Sequence, residues 1–414
     1  MNLYLFNAND IASTYGIGTY IKELTCALED AELKLHIVYL HSNRIKFEII
    51  RTKQVTYWHI PEVLNENTFS GSVQKLEDYY SNVIYLLRIN IKDTTDLVFH
   101  FNFNQSQLLA KELKAVFNCR TVTTIHYTKW GIELQGNLNK LHALKVKTDN
   151  QRNEFEQLLM NTDEYESLLF KEVDYVIALS QEMKQLLNIE YLLDSNKIAV
   201  IPNGLGNFND VHAKNRNNLR TKWHISKKET IILFVGRLHA MKGLVFLLKS
   251  FRNVLNVIPY SRLVIAGNGN YDTYLQGFKD ICAKITFTGL LEKQELYELY
   301  QIADVGVVPS LYEPFGYVAV EMMMHKLPIV ATATSGLNEV VDDTCGLKIP
   351  IIEHPDSVEI DTDLLAEKIL YILQHPKEAR QMGQNGRKRY LKKYTSEIFR
   401  QNMLNFYNSL WHKD

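Results

Sequence analysis

The stretch Glu313-Pro314-Phe315-Gly316-Tyr317-Val318-Ala319-Val320-Glu321 follows directly on the apolar run Val305-Gly306-Val307-Val308-Pro309-Ser310, and that succession decides the fold. A short β-branched run, a Pro/Gly turn and then an apolar helical period make the repeating step of a parallel α/β sheet. Pro314 and Gly316 favour the turn, and the spacing predicts a helix beginning at about 315–317. Glu313 then lies in the loop at the carboxyl end of a strand, and Glu321 sits about one turn into the helix. The N–H groups of such a helix start can bind an anion, helped by the helix dipole. Two carboxylates flanking them suit a ligand that carries both hydroxyls and a phosphate. Read alone, Glu313 and Glu321 would only cap and solvate a helix.

Working outward, the same step recurs. The first half offers strands near 2–6, 34–40, 55–60, 96–101, 120–125, 174–179 and 197–201, with a helix over 17–28. The polar stretch 207–218 reads as a linker. Strands at 231–235, 262–266, 285–289, 305–309 and 328–332 follow, with helices at 244–258, 292–303, 361–375, 377–393 and 395–411. Pro259 stops the first of these helices. A chain of 414 residues is too long for one core to serve comfortably. Two doubly wound α/β domains are expected, 1–204 and 205–394, facing across a cleft, with the C-terminal helix 395–414 packing back on the first. Open α/β sheets bind ligands at the carboxyl ends of their strands.

A second cluster, Gly236-Arg237-Leu238-His239-Ala240-Met241-Lys242-Gly243, also follows a strand. Arg237 and Lys242 are placed to neutralise a departing diphosphate. Gly267 and the 287–289 turn end two further strands and would line a nucleotide pocket. In the first half, Tyr15-Gly16-Ile17-Gly18-Thr19 opens the first helix, and Gly16 and Gly18 let backbone approach a phosphate or sugar. The third glycine of a dinucleotide fingerprint is absent, which argues against an oxidoreductase. His126 closes the strand 121–125. The long connection 127–150, with Trp130, Lys140, His142, Lys145 and Lys147, reads equally as a lid or acceptor site and as a solvated cover with a short helix on Leu138, Leu141 and Leu144.

Taken in order, GRLHAMKG (236–243), the Glu-x7-Glu element with its internal Phe-Gly, and SGLNEVV (335–341) resemble the donor-binding half of family 4 retaining glycosyltransferases of the GT-B fold. Vaguer similarity, including ALS (178–180) and IPNG (201–204), extends over nearly the whole chain. The resemblance implies hexosyl transfer from a nucleotide-diphosphate sugar, UDP- or GDP-linked, to an acceptor hydroxyl with retention of configuration. It implies that Arg237 and Lys242 hold the pyrophosphate, with Gly236 and Gly267 beside the nucleotide, and that Glu321 holds the ribose. Glu313, with the backbone around Phe315, Gly316 and Tyr317, would hold the transferred sugar. Gly16 and Gly18 would lie beside the donor phosphates, and His126 near the reacting carbon. Tyr127 stands where the family's usual aspartate follows that histidine. Glu313, His126, Arg237 and Lys242 are thus the expected catalytic group.

The fixed cations make a divalent metal or other cofactor unnecessary, and no acidic pair of the DxD kind ends a strand. With 46 basic and 47 acidic side chains, no global field attracts nucleic acid. The acceptor, a glycan, a lipid-linked sugar or a peptide, stays open, as does peripheral membrane contact through 127–150. No run approaches the ~20 apolar residues that span a bilayer, and the N-terminus has no secretory pattern, so a cytoplasmic protein with reduced, buried thiols at Cys26, Cys119, Cys282 and Cys345 is expected. A phosphorylase or epimerase of the same fold and a non-catalytic nucleotide-sugar sensor remain as alternatives.

Overall fold

The computed structural model describes residues 1–8, 16–62, 73–207 and 216–411; Tyr15 and most of the expected linker lie outside them. In chain order the first half runs β1 (Asn2–Ala8), α1 (Gly16–Leu28), β2 (Lys34–Ser42), β3 (Glu48–Arg51), β4 (Val55–Pro61), α2 (Val73–Asn90), β5 (Leu97–Phe101), α3 (Gln107–Val116) and β6 (Cys119–Ile125). Then come α4 (Lys129–Glu133), α5 (Leu138–Val146), α6 (Glu154–Glu172), β7 (Tyr175–Ala178), α7 (Gln181–Glu190) and β8 (Ile198–Val200). The second half runs α8 (Arg216–Lys222), β9 (Thr230–Val235), α9 (Leu244–Val257), β10 (Ser261–Ala266), α10 (Asp272–Gly277), β11 (Ile285–Gly289), α11 (Lys293–Ile302) and β12 (Val305–Val308). It ends with α12 (Tyr317–Met324), β13 (Ile329–Ala333), α13 (Ser335–Val340), β14 (Gly346–Glu353), β15 (Val358–Ile360), α14 (Thr362–Gln374), α15 (Pro376–Lys393) and α16 (Ser396–Ser409).

Contacts divide the chain into two units: Met1–Lys129 with Thr148–Gly204 and Ser396–Asp414, and Trp130–Lys147 with Leu205–Thr395. In the first, the sheet order is β3-β4-β2-β1-β5-β6-β7-β8. Strand β1 is buried along almost its whole length, as a central parallel strand covered on both faces must be. One face carries α2, α3 and α7, with Leu113 of α3 packed in the same core as Phe6, Phe99 and Phe101 of the strands. The other carries α1, whose Ile17, Tyr20, Ile21 and Leu24 pack with Phe399, Met403 and Tyr407 of α16. In the second unit the order is β11-β10-β9-β12-β13-β14-β15, with α9 and α14 burying Leu247, Phe251, Leu365 and Ile369 on one face.

Strand order reverses at β1/β5 in the first sheet and at β9/β12 in the second, and a crevice opens at the carboxyl ends of strands at such switch points. The loop carrying Arg237 and Lys242 follows β9, and the loop carrying Glu313 follows its hydrogen-bonded neighbour β12, with Phe234 opposite Val307. Fold topology alone therefore makes these two loops neighbours.

Four sequence expectations are corrected. Strand β3 is an unpredicted four-residue antiparallel edge strand on β4, too short for alternation to register. The run β14–β15 also escapes notice: Pro350 interrupts its hydrogen-bonding pattern, β14 is parallel to β13 over Gly346–Pro350, and β15 closes the sheet antiparallel. The linker ends early, because α8 starts at Arg216. Cys26 and Cys282 are exposed; only Cys119 and Cys345 are buried, and all four are free thiols. Among the described residues no helix is long and apolar enough to cross a membrane.

Candidate functional site

The site in the second unit is fixed first by backbone. Beyond β9 the chain passes through a short 3-10 turn over Ala240–Lys242 to Gly243, which has φ 67 and starts α9. A Cβ on Gly243 would stand 1.8 Å from the Pro309 carbonyl oxygen, so only glycine lets this loop lie against the end of β12. The Leu311 N–H donates to the Met241 carbonyl at 2.8 Å and ties the two loops together. As a result the Lys242 Nζ reaches Glu313 Oε2 at 2.5 Å, and both side chains are less than one-fifth exposed. Ser310 Oγ lies 3.5 Å from the same oxygen. Arg237 and Lys242 are close enough to His239 for their charges, after burial, to lower the pKa of its ring.

Behind this pair, the 310–316 loop is braced by the turn into α13. Thr332 and Thr334 donate their hydroxyls to the carbonyls of Ser310 and Leu311. The Leu337 N–H donates to the Glu313 carbonyl at 3.2 Å. Phe315 is buried and packs edge-on against Tyr317 at 5.3 Å and Tyr394 at 5.9 Å, so its side chain anchors the loop and only its backbone can face a ligand. Gly316 holds φ 99 at the N-cap of α12, a left-handed conformation, and no side chain caps that helix. Tyr317 is its first residue. The helix start thus keeps its positive end beside the Lys242–Glu313 pair.

Glu321 lies one turn on and does not join that pair. The Tyr300 hydroxyl of α11 donates to its Oε2 at 2.7 Å. Burial and the Glu321 charge hold the Tyr300 phenol well above its ordinary pKa, so it stays a donor. Sequence reasoning missed Tyr300, because a tyrosine in the apolar stripe of Leu296, Leu299 and Tyr300 reads as core. Gly236 and Gly267 stand on neighbouring strand ends: the Gly236 N–H donates to the Ala266 carbonyl and the Gly267 N–H to Gly289, each at 2.9 Å. Segment 130–147 packs here too, although it is flanked by first-unit chain. Trp130 lies 6.3 Å from the ring of Tyr312, the residue before Glu313. Asn137 Nδ2 donates to the His354 carbonyl at 2.7 Å. The connection read from sequence as a lid or cover is thus, in part, a brace for the Glu313 loop.

In the first unit Gly16, exposed, and Gly18, half-buried, occupy the first turn of α1. His126 follows β6, its Nε2 3.2 Å from Asn102 Oδ1 and its ring edge-on to Tyr20 of α1 at 4.6 Å. Burial drops its pKa to about 3, so it is neutral at physiological pH. A buried chain of hydrogen bonds continues behind it: Tyr20 to Thr124 at 3.1 Å, Thr124 to His100 at 2.7 Å, and His100 to Tyr407 of α16 at 2.7 Å. The loop after His126 is clamped by Glu166 of α6, which is fully buried. Glu166 accepts from Asn104 Nδ2 at 2.6 Å and from the Lys129 N–H at 3.0 and 3.1 Å. Asn102, Asn104, Tyr20 and Glu166 carry no local sequence sign of this task. Ser180 of the ALS motif has a plain structural role, accepting from the Met183 N–H as the N-cap of α7.

Two families match this chain: the one described as Glycosyltransferase Family 4 over residues 14–205, and Glycosyl transferases group 1 over residues 215–389. The chain belongs to the family 4-type glycosyltransferases. An uncharacterized glycosyltransferase of Methanocaldococcus jannaschii is 32% identical over 197 residues, covering 45% of this chain and 50% of that protein. Mannosylfructose-phosphate synthase of Agrobacterium fabrum is 30% identical over 187 residues, covering 42% of this chain and 41% of the enzyme. The chain thus spans about half the length of the curated relatives it matches. Among solved structures, sucrose-phosphate synthase from Thermosynechococcus elongatus superposes with a TM-score of 0.75 at 22% identity over 99% of both chains. Anabaena HepE in complex with UDP-glucose gives 0.68 at 14% identity, covering 99% of this chain and 100% of that one. These likenesses establish the GT-B fold for this member of the family.

Proposed function

We propose that this protein transfers a hexosyl group from a nucleotide-diphosphate sugar, UDP- or GDP-linked, to an acceptor hydroxyl, with retention of configuration and without a metal ion. The observation that carries this reading is the Lys242–Glu313 pair at the start of α12, on the two loops that flank the switch point of the second sheet. Similarity in fold to Anabaena HepE, solved in complex with UDP-glucose, supports the donor class.

In this reading the donor diphosphate lies at the amino end of α12, with Arg237 and Lys242 beside it and Gly236 and Gly267 along the nucleotide. Glu321, oriented by Tyr300, accepts from the ribose hydroxyls. Glu313 accepts from hydroxyls of the transferred sugar once the Lys242 ammonium has turned to the diphosphate. The bond from the anomeric carbon to the phosphate oxygen breaks as the bond to the acceptor oxygen forms. The acceptor proton passes to the departing phosphate oxygen. Charge that grows on the leaving group meets cations and helix amides already in place, which is where such sites lower the barrier most. His126, neutral at working pH, serves as a hydrogen-bonding neighbour of the sugar rather than as a proton donor. Gly16 and Gly18 leave room at the first turn of α1 for the donor phosphates.

The test is a panel of nucleotide sugars in the presence of EDTA, scored first by protection against thermal unfolding and then by NMR of the anomeric product. One donor should raise the midpoint by mass action and yield product of unchanged anomeric configuration. No protection by any donor, an inverted product, or activity that EDTA abolishes would remove the corresponding part of the proposal. Donor binding with neither transfer nor hydrolysis would leave a sensor.

A further inference from the structure

A cavity of about 440 Å³ opens at the carboxyl ends of β2 and β4, lined by Tyr39, Ser42, Asn43, Arg44 and His59. None of these residues belongs to the site described above. Tyr39 and His59 are register partners on neighbouring strands, and their rings stack at 5.2 Å. Tyr57 extends the stack at 6.4 Å from Tyr39. The β2–β4 register shifts between Tyr39 and Ser42, and His41 adopts φ 50 with its ring on Tyr79 at 4.1 Å. Breaks of this kind at a strand end re-aim the residues that follow. Ser42 Oγ sits 3.3 Å from His59 Nδ1 and accepts from the Arg44 N–H at 3.4 Å.

The cavity is polar, and Arg44 brings a positive charge to its lining. The Arg44 side chain is half exposed, and among the described residues it pairs with Glu48 at 3.8 Å, beyond hydrogen-bonding distance. Its planar fork is therefore available for bidentate binding of an anion. Glu48, opposite His59, and Glu62, 4.0 Å from His41, stand at this end of β4, whereas Arg51, opposite Thr56, lies toward its other end, so Arg44 is the cation that the lining itself supplies. Burial and the Arg44 charge lower the His59 pKa, which keeps the imidazole a neutral partner.

Position supplies the rest. Strands β4, β2, β1, β5 and β6 are parallel neighbours, so the cavity shares the sheet edge that bears Gly16 and His126. From β2 to β6 is three strand spacings, about 14 Å. That span suits a second or third ring of an extended acceptor.

We propose that this cavity is a distal acceptor subsite for an acidic sugar, a hexose bearing a carboxylate or phosphate. The ring lies on the Tyr39–His59 wall, hydroxyls meet Asn43 and Ser42, and the anion meets Arg44. The word acceptor rests on the function proposed above; the binding chemistry does not.

The full chain is titrated calorimetrically, at constant ionic strength, with glucuronate, glucose 6-phosphate, glucose and inorganic phosphate. At least one acidic sugar should bind, glucose and inorganic phosphate should bind about tenfold more weakly or worse, and Arg44→Gln should weaken the acidic sugar about tenfold. Asn43→Ala is the second variant should Arg44→Gln unfold, and it should weaken the same ligand. The proposal is overturned if inorganic phosphate matches glucose 6-phosphate, if glucose matches both acids, or if binding survives both substitutions. A nucleotide sugar that protects wild type while no acidic sugar binds sinks this inference alone. Acidic-sugar binding without any response to donors keeps the subsite and removes its role in transfer.

Discussion

The two sheets present opposite kinds of chemistry at their carboxyl edges. At the edge of the second, the loops after β9 and β12 bring a largely buried cation and carboxylate to 2.5 Å and set them beside an uncapped helix start. At the edge of the first, His126 and His100 are both held neutral, their pKa values dropped to about 3 by burial, inside a chain of uncharged hydrogen bonds. The second edge is built to meet charge, and the first, in the stretch around His126, to hold shape. As a glycosyl–phosphate bond breaks, the departing diphosphate gains negative charge while the sugar ring gains positive, and the edge that carries fixed cations and helix amides for the former should dominate the rate.

The sharpest way to break that contrast is Lys242→Ala. Removing one preorganised partner of a developing charge lowers turnover by about 10²–10³-fold, and the fold should survive because the pair is not fully buried. The measurement is kcat/KM for transfer together with the midpoint of thermal unfolding. Full activity in a folded variant would mean that the charged edge is not the reacting one.

Glu166 is the exception among the neutral groups around His126, and it gives the next largest effect. Burial, opposed by hydrogen bonds from Asn104 and Lys129, raises its pKa from 4.5 to about 7. A carboxyl whose folded pKa is raised binds more protons folded than unfolded between those two values. Its contribution to stability therefore falls as pH rises from about 4.5 to about 7, by on the order of 2–3 kcal/mol. Glu166→Gln should remove that dependence, so its stability relative to wild type improves from pH 4.5 to pH 8. Denaturant unfolding at several pH values reads it. Parallel curves for the two proteins would show that Glu166 is ionised throughout.

How much of this was legible differs between the edges for the same physical reason. The strand, turn and helix over 305–324 announce themselves because Pro314 and Gly316 constrain their own backbone, a local property written in the residue. The nearness of Lys242 to Glu313 follows once strands β9 and β12 are neighbours, which the order of motifs suggests. The neutral edge is assembled from Tyr20, Asn102, Asn104, Thr124 and Glu166, each unremarkable in its own segment and paired over tens of residues. His126 was visible as a strand-end histidine, but its neutrality was not, since burial is a property of the whole unit. The same holds for β14, where Pro350 argues locally against a strand that the neighbouring β13 nonetheless supports.

The backbone part of the charged edge can be tested by Gly316→Ala. At φ 99 an L-residue is strained, and the new Cβ would stand 3.0 Å from Leu337 Cδ1. A stability loss of about 1–2 kcal/mol is expected, with donor affinity falling as the first turn of α12 shifts. If thermal unfolding and donor binding are both unchanged, the left-handed cap does not position that helix start.

The smallest effect refines the contrast rather than breaking it. The Tyr300 hydroxyl donates to a carboxylate that is only half-buried, so Tyr300→Phe lets water replace the lost partner of Glu321 and leaves the ring stacked on His325 at 5.4 Å. Stability should change little. Glu321 would lose one of the contacts that orient it, however, and a hydrogen bond to a charged group contributes about 1.5–3 kcal/mol where water does not compete. Because the ribose is bound equally in the ground and transition states, that loss should raise KM for the donor by up to about tenfold and leave kcat near its wild-type value. A fall in kcat at constant KM would place Tyr300 and Glu321 at the reacting carbon instead of the nucleotide, and would redraw the charged edge around them.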